Sequence, residues 1–284
     1  MILVDMNQVT LSSLMVQIGN RTALEPDLVR HMVLNSLRLY RRQFSDEYGE
    51  LVLCYDNKTN WRREYFPNYK YSRRKDRKAS KLDWGAIFDT LHLIKQELQD
   101  NFPYKVLEVE NAEADDIIAS VVKWVSASPS HYEKVLIVSG DKDFIQLQKH
   151  NFVTQYSPTQ KKFVNGIDPD TYIKEHILKG DRSDGVPNFL SPDNTFVDEL
   201  RQRPISKKKL ATWIELEPED FCNENMLRNY QRNRTLIDLE QAPDEIASRC
   251  VATYLNSTVK DRSGLLNYFI KNKLKSHIEN IGDF

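Results

Sequence analysis

Short apolar runs alternate with stretches of helical period along the first half of the chain. The runs "ILVD", "LVLCYD", "YKVLEVE" and "KVLIVSG" have the length and β-branched content of strands, and the four consecutive apolar residues Val135 to Val138 predict a strand buried on both faces. Between them, "HMVLNSLRLYRRQF" brings Met32, Val33, Leu37, Leu39 and Tyr40 round at roughly helical spacing. "WGAIFDTLHLIKQELQ" places Ile87, Leu91, Ile94 and Leu98 on one helical stripe, and "ADDIIASVVKWV" predicts a further helix. Strands alternating with helices predict an α/β fold with a mainly parallel sheet flanked by helices. From about Pro169 the pattern changes to helical segments such as "DTYIKEHILKG", "DEIASRCVATYL" and "LLNYFIKNKLKSHI". The boundary falls between 165 and 185, dividing the chain into 1–180 and a mostly helical 181–284.

Composition narrows the class. At 284 residues, with 40% hydrophobic and 29% charged residues and a mean hydropathy of -0.58, this is a soluble globular chain with no apolar run long enough to span a bilayer. The opening "MILVDMNQ" has no basic flank and reads as a first strand rather than a secretory signal. Cys54, Cys222 and Cys250 lie far apart, which suits a reducing, cytoplasmic setting, and the six histidines show no ligand spacing, which argues against zinc.

Each predicted strand delivers carboxylates at its C-terminal end: Asp5, then Asp56, then Glu113, Asp115 and Asp116, then Asp141 and Asp143. Read singly, each is an ordinary turn former or helix cap. Read together, they belong on one edge, because all strand C-termini of a parallel sheet lie on the same side, where open α/β sheets place their ligand sites. Seven like charges gathered there must either take up protons or be neutralised by cations. Oxygen donors without clustered His or Cys select hard ions, so two Mg²⁺ ions are indicated, with Mn²⁺ as a substitute. Held about 3.5–4 Å apart, such a pair activates water and stabilises the leaving oxygen of an in-line phosphoryl displacement.

Between Asn57 and Leu82 the chain carries ten Lys or Arg against Glu64 and Asp76, a local balance of +8 in a protein whose net charge is -1. Such a patch is suited to a polyanion. Trp61, Tyr65, Phe66, Tyr69 and Tyr71 interleave with Arg62, Arg63, Lys70, Arg73, Arg74 and Arg77, as expected where bases stack on rings and cations follow phosphates. Lys70, Arg73, Arg74 and Arg77 fall at i, i+3, i+4 and i+7, one face of a helix.

In order and spacing, "ILVD", "LVLCYDN", "WRREYFPNYK", "EADD", "SGDKDF" and "LKGDRSDGVPN" resemble the 5′-nuclease (flap endonuclease) superfamily, from residue 2 to about 190, with a weaker likeness to the terminal "IGDF". The resemblance implies a PIN-like nuclease domain over 1–180, an arch or clamp over 57–82, and a helical DNA-binding region over 181–284. It implies that Asp5, Glu113, Asp115 and Asp116 serve one metal ion, directly or through water, and Asp141, Asp143 and Asp184 the second, with Asp56 between them. It implies that Lys70 with Arg73 or Arg74 meets the scissile phosphate and stabilises developing charge. The activity implied is metal-dependent 5′→3′ exonuclease and flap endonuclease action on RNA–DNA hybrids, duplex DNA and forks, removing primers in phage DNA replication. A monomer in the host cytoplasm, partnered by a replisome single-strand-binding protein or sliding clamp, goes with it. One departure stands out: most members follow "GDRSDGVPN" with a glycine-rich hairpin that grips duplex DNA, whereas here "FLSPDNTFVDELRQRPISKKKL" follows without glycine. Two alternatives share these features: a non-catalytic protein that binds DNA structures, and a PIN-type endonuclease of single-stranded RNA.

Overall fold

The computed structural model describes residues 1–18 and 25–284. A six-stranded sheet runs in the order β3-β2-β1-β4-β5-β6, built from β1 (Ile2–Asp5), β2 (Leu51–Tyr55), β3 (Lys105–Glu108), β4 (Val135–Val138), β5 (Val153–Ser157) and β6 (Lys162–Phe163). The first five are mutually parallel and β6 pairs antiparallel to β5. The chain builds outward from β1 through β2 to β3, then returns to the other side of β1 for β4 and β5. Strand order therefore reverses between β1 and β4, which is where open parallel sheets leave a crevice.

Side-chain alternation along the strands separates two cores. Ile2, Val4, Leu51, Leu53, Leu136 and Val138 pack on one face with Val33, Leu37 and Phe44 of α2 (Pro26–Tyr48) and with Ile94 and Leu98 of the helix Trp84–Asn101. Leu3, Val52, Cys54, Val135 and Ile137 pack on the other with the helix Ala114–Ser126. All four residues of β1 and of β4 are buried, as the unbroken apolar runs predict. α1 (Met6–Ile18) follows β1 directly. Beyond it lie α3 (Trp61–Tyr65), α4 (Tyr71–Ala79), α5 (Trp84–Asn101), α6 (Ala114–Ser126) and α7 (Pro169–Lys179).

The helical second half wraps the sheet on both sides. α8 (Lys207–Ile214), α9 (Pro218–Phe221) and α10 (Glu224–Ile237) form a satellite with Leu178 and Phe189. α11 (Asp244–Asn256) sends Ile246 and Cys250 into the α6 face. α12 (Leu265–Lys271) and α13 (Lys275–Ile278) bring Leu265, Phe269 and the final Phe284 into the opposite core. Among the described residues, no helix is long and apolar enough to cross a membrane.

Candidate active site

Four strand ends deliver their acids to one place. Asp5, closing β1, is buried and accepts hydrogen bonds from the Gln8 backbone at 3.1 Å and from Ser139 Oγ at 2.9 Å. Ser139 directly follows β4, so this bond ties the two strands at the reversal point. Asp56, just past β2, accepts the Ala114 N–H at 2.8 Å, at the N-terminus of α6. Glu113 is the N-cap residue of α6 and Asp115 sits in its first turn. Asp141 caps a 3₁₀ turn, Lys142–Lys149, by accepting the Asp143 N–H at 3.0 Å.

A fifth contribution comes from the loop after α7. Asp181 accepts from Ser183 N–H and Oγ, each at 2.7 Å, and Val186 N–H returns to the Asp181 carbonyl at 2.7 Å. The resulting tight turn presents Asp184 to the site. Its flanking glycines are required. Gly180 has φ +68°, and a Cβ there would stand 2.4 Å from the Val186 carbonyl oxygen; Gly185 has φ +75°, and a Cβ there would stand 2.9 Å from the Asn68 carbonyl oxygen. The second contact marks where the loop meets the foot of α4, and there Lys70 N–H donates to the Asp184 carbonyl at 2.7 Å. Lys70 itself adopts a left-handed backbone, φ +54°, as the N-cap residue of α4. That conformation turns its ammonium inward, 2.5 Å from Glu113 and 3.6 Å from Asp184, while Arg73 pairs with Asp184 at 2.6 Å.

Burial raises these acids except where their partners outweigh it, and Asp184 stays raised even with Lys70 and Arg73 beside it. Burial alone would raise Glu113, but Lys70 and Arg62 outweigh it and hold its carboxyl down to about 2. Asp5 has only hydroxyl and amide donors, and burial with Asp56 beside it pushes it up to about 7. Burial, then Asp141 and Asp5, raises Asp115 well above the usual range. Burial and Glu113 raise Asp56. Burial and Asp141 bring Asp143 up to about 7, against the pull of His176. Asp5, Asp56 and Asp115, all raised, lie together with Asp141 adjoining. Their oxygens fit a hard divalent ion, whose charge would favour the carboxylate form of the raised three.

Four expectations need correction. Asp116, expected at a metal, is fully buried and committed: one oxygen accepts from Glu113 N–H at 2.9 Å, Trp61 Nε1 at 3.2 Å and Arg62 Nη1 at 2.9 Å, and the other lies 2.9 Å from Arg62 Nη2. Arg62, expected on a phosphate, is 1% exposed and also holds the Leu236 carbonyl at 3.0 Å. Trp61 and Tyr69, expected under bases, are buried; Trp61 serves Asp116 and the Tyr69 hydroxyl bridges Glu113 and Asp184 at 2.9 and 2.8 Å. Interleaved rings and cations here build the floor of the site. The one-face expectation for the basic helix also fails at Lys70, which precedes α4 and points into the acids. Arg73, Arg74 and Tyr65 are exposed and Arg63 half-buried, while Arg77 lies over Trp84 and Phe88 at 5.3 and 5.0 Å.

Two residues passed over in the sequence join the site. His176, on α7, puts Nε2 3.3 Å from Asp143 and 3.6 Å from Asp181. A lone histidine without ligand spacing gives no signal. Asp181 stands three residues before Asp184 in "KGDRSD", and that repeat was the available clue.

Comparison with known proteins gives the family and agrees with this fold. Residues 3–177 match the model of the 5′-3′ exonuclease N-terminal resolvase-like domain, and residues 168–284 match that of the T4 RNase H C-terminal domain. Ribonuclease H of Enterobacteria phage T4 is 33% identical, over 99% of this chain and 95% of that protein. The chain belongs to the 5′-3′ exonuclease family, in its T4 RNase H type. DNA polymerase I of Bacillus subtilis is 31% identical over 58% of this chain, which spans only 19% of the polymerase. The bacteriophage T5 flap endonuclease, solved as a pseudo-enzyme-product complex with DNA and metal ions, shares the PIN-like fold. Its TM-score is 0.61 at 16% identity, over 89% of this chain and 97% of that one.

Proposed function

We propose that the protein is a divalent-metal-dependent 5′→3′ exonuclease and flap endonuclease, hydrolysing RNA–DNA hybrids, duplex DNA and forks, and removing RNA primers during phage DNA replication in the host cytoplasm. The observation that carries the reading is the meeting of Asp5, Asp56, Glu113, Asp115, Asp141, Asp143 and Asp184 at one sheet edge, where burial and then mutual repulsion raise Asp5, Asp115 and Asp143. Asp5, Asp56, Asp115 and Asp141 would hold one Mg²⁺ and Asp143, Asp181 and Asp184 a second. Bound there, the ions would lower the pKa of water and neutralise the leaving oxygen. Lys70 and Arg73 supply fixed positive charge beside the acids, suited to the equatorial oxygens of a phosphodiester. Exposed Tyr65, Arg73 and Arg74 would line the approach of a single-stranded 5′ end. T4 ribonuclease H and the T5 flap endonuclease, the first by name and the second in complex with DNA and metal ions, support this substrate class.

The test uses a 5′-labelled fork and an RNA–DNA hybrid, each with Mg²⁺ and with EDTA. Cleavage to 5′-phosphate products only in Mg²⁺ is expected. Asp141→Asn should lower turnover by about 100-fold or more while the fork still binds; undiminished cleavage would refute the assignment. Tight binding without any cleavage would favour the non-catalytic alternative.

A further inference from the structure

The carboxylates proposed for the second ion are joined by a nitrogen that nothing above gives a role. Asp143, Asp181 and His176 each offer one donor atom, and these atoms all lie within 4.8 Å of one another. Nε2 is 3.3 Å from Asp143 Oδ1 and 3.6 Å from Asp181 Oδ2. For bonds of ~2.1 Å, neighbouring corners of an octahedron stand ~3 Å apart and opposite corners ~4.2 Å, so Nε2 lies between those spacings from each acid, and three atoms no more than 4.8 Å apart come within reach of one ion after small side-chain shifts. Nε2 is shut off from solvent and makes no well-aligned hydrogen bond to either acid. The ring is also held. It stacks one turn along α7 on Tyr172, centroids 5.5 Å apart and planes 12° from parallel.

We infer that His176 is a ligand of the second divalent ion, and that its imidazole biases this site toward Mn²⁺ over Mg²⁺. The inference rests on the two-ion reading above. Mg²⁺ takes oxygen and keeps its waters, whereas imidazole suits transition metals and affinities rise along the series that begins with Mn²⁺. A site of carboxylates alone has no such bias. Exchanging one oxygen position for nitrogen is therefore a selectivity device placed on the ion nearer α7, leaving the Asp5 side all-oxygen.

The rival explanation is that His176 is only a positive partner for Asp143 and Asp181, and the two separate cleanly. The full-length protein is titrated with Mn²⁺ and, in competition, with Mg²⁺. The Mn²⁺-loaded protein is then examined by electron spin echo spectroscopy for coupling to ¹⁴N. The wild type should show a histidine ¹⁴N coupling and two Mn²⁺ ions, and His176→Gln should lose the coupling and about 10-fold or more of the Mn²⁺ preference at one site. His176→Lys keeps the positive charge and cannot imitate imidazole, so it should lose both as well. Two Mn²⁺ ions without nitrogen coupling, or a preference retained in His176→Lys, would overturn the inference while leaving the two-ion reading intact. Failure to bind any divalent ion would instead remove the reading on which it rests.

Discussion

Arg62 illustrates how far a residue's role depends on where its neighbours lie. In the sequence it belongs to a basic stretch, and in the fold it is the buried counter-charge of Asp116 and a partner of Glu113. Removing one member of such a pair strands the other in low dielectric. Arg62→Met should therefore lower unfolding stability by about 3–5 kcal/mol, read by urea denaturation, with part of the loss recovered in Arg62→Met combined with Asp116→Leu. An unchanged midpoint would mean that Asp116 finds another donor. Asp5 and Asp143 work in the opposite sense. Their folded pKa of about 7 lies above the ordinary 3.8, so the folded state holds its protons more tightly. As pH rises from about 4 to about 7 the unfolded chain gives these protons up first, and stability falls. In EDTA, Asp5→Asn should be more stable than wild type at pH 7.5, on the order of 2 kcal/mol, and the gain should shrink at pH 4.5. Thermal denaturation at the two values checks it, and a gain independent of pH would contradict the burial argument.

At the scale of elements, the strands and helices of the first half are legible because their periods are clean. Val135 to Val138 is fully buried, and Ile87, Ile94 and Leu98 face the core from α5 as their spacing predicts. β5 and β6 are not signalled, since "VTQYS" and "KF" are too polar and short to stand out. The convergence of Asp5, Asp56, Glu113, Asp115 and Asp141 was legible because it follows from parallel strands, whereas Asp184 arrives on the loop after α7. What stayed hidden was burial: Trp61, Arg62 and Tyr69 have the composition of a surface patch, and only tertiary packing against α6 and the 181–186 loop turns them inward. That loop depends on two glycines. Gly185→Ala should force the turn away from Asn68 and displace Asp184, lowering cleavage by about 100-fold with the core still folded by circular dichroism. Normal activity would show that the loop relaxes without moving its acid.

Across the whole molecule, the second half is anchored through its far end. Phe284 is fully buried against Phe102, Phe269 and His277, with ring centroids 5.8, 5.1 and 5.4 Å away, and its carbonyl accepts from Arg262 at 2.7 Å. Phe284→Ala should cost about 3–5 kcal/mol, visible as a lower urea midpoint, and leave turnover per folded molecule unchanged because the ring lies in the core opposite α6. A specific loss of turnover would tie that core to the site.

Asp184 has one more consequence. The first acid stands at residue 5 and the last at 184, so a nascent polypeptide cannot assemble the full set until that distant turn has left the ribosome. Lys70 and Arg73, made long before, have no Asp184 to dock on until then. A polypeptide that stops short of this turn lacks Asp184 and leaves Arg73 without the carboxylate it holds in the finished fold.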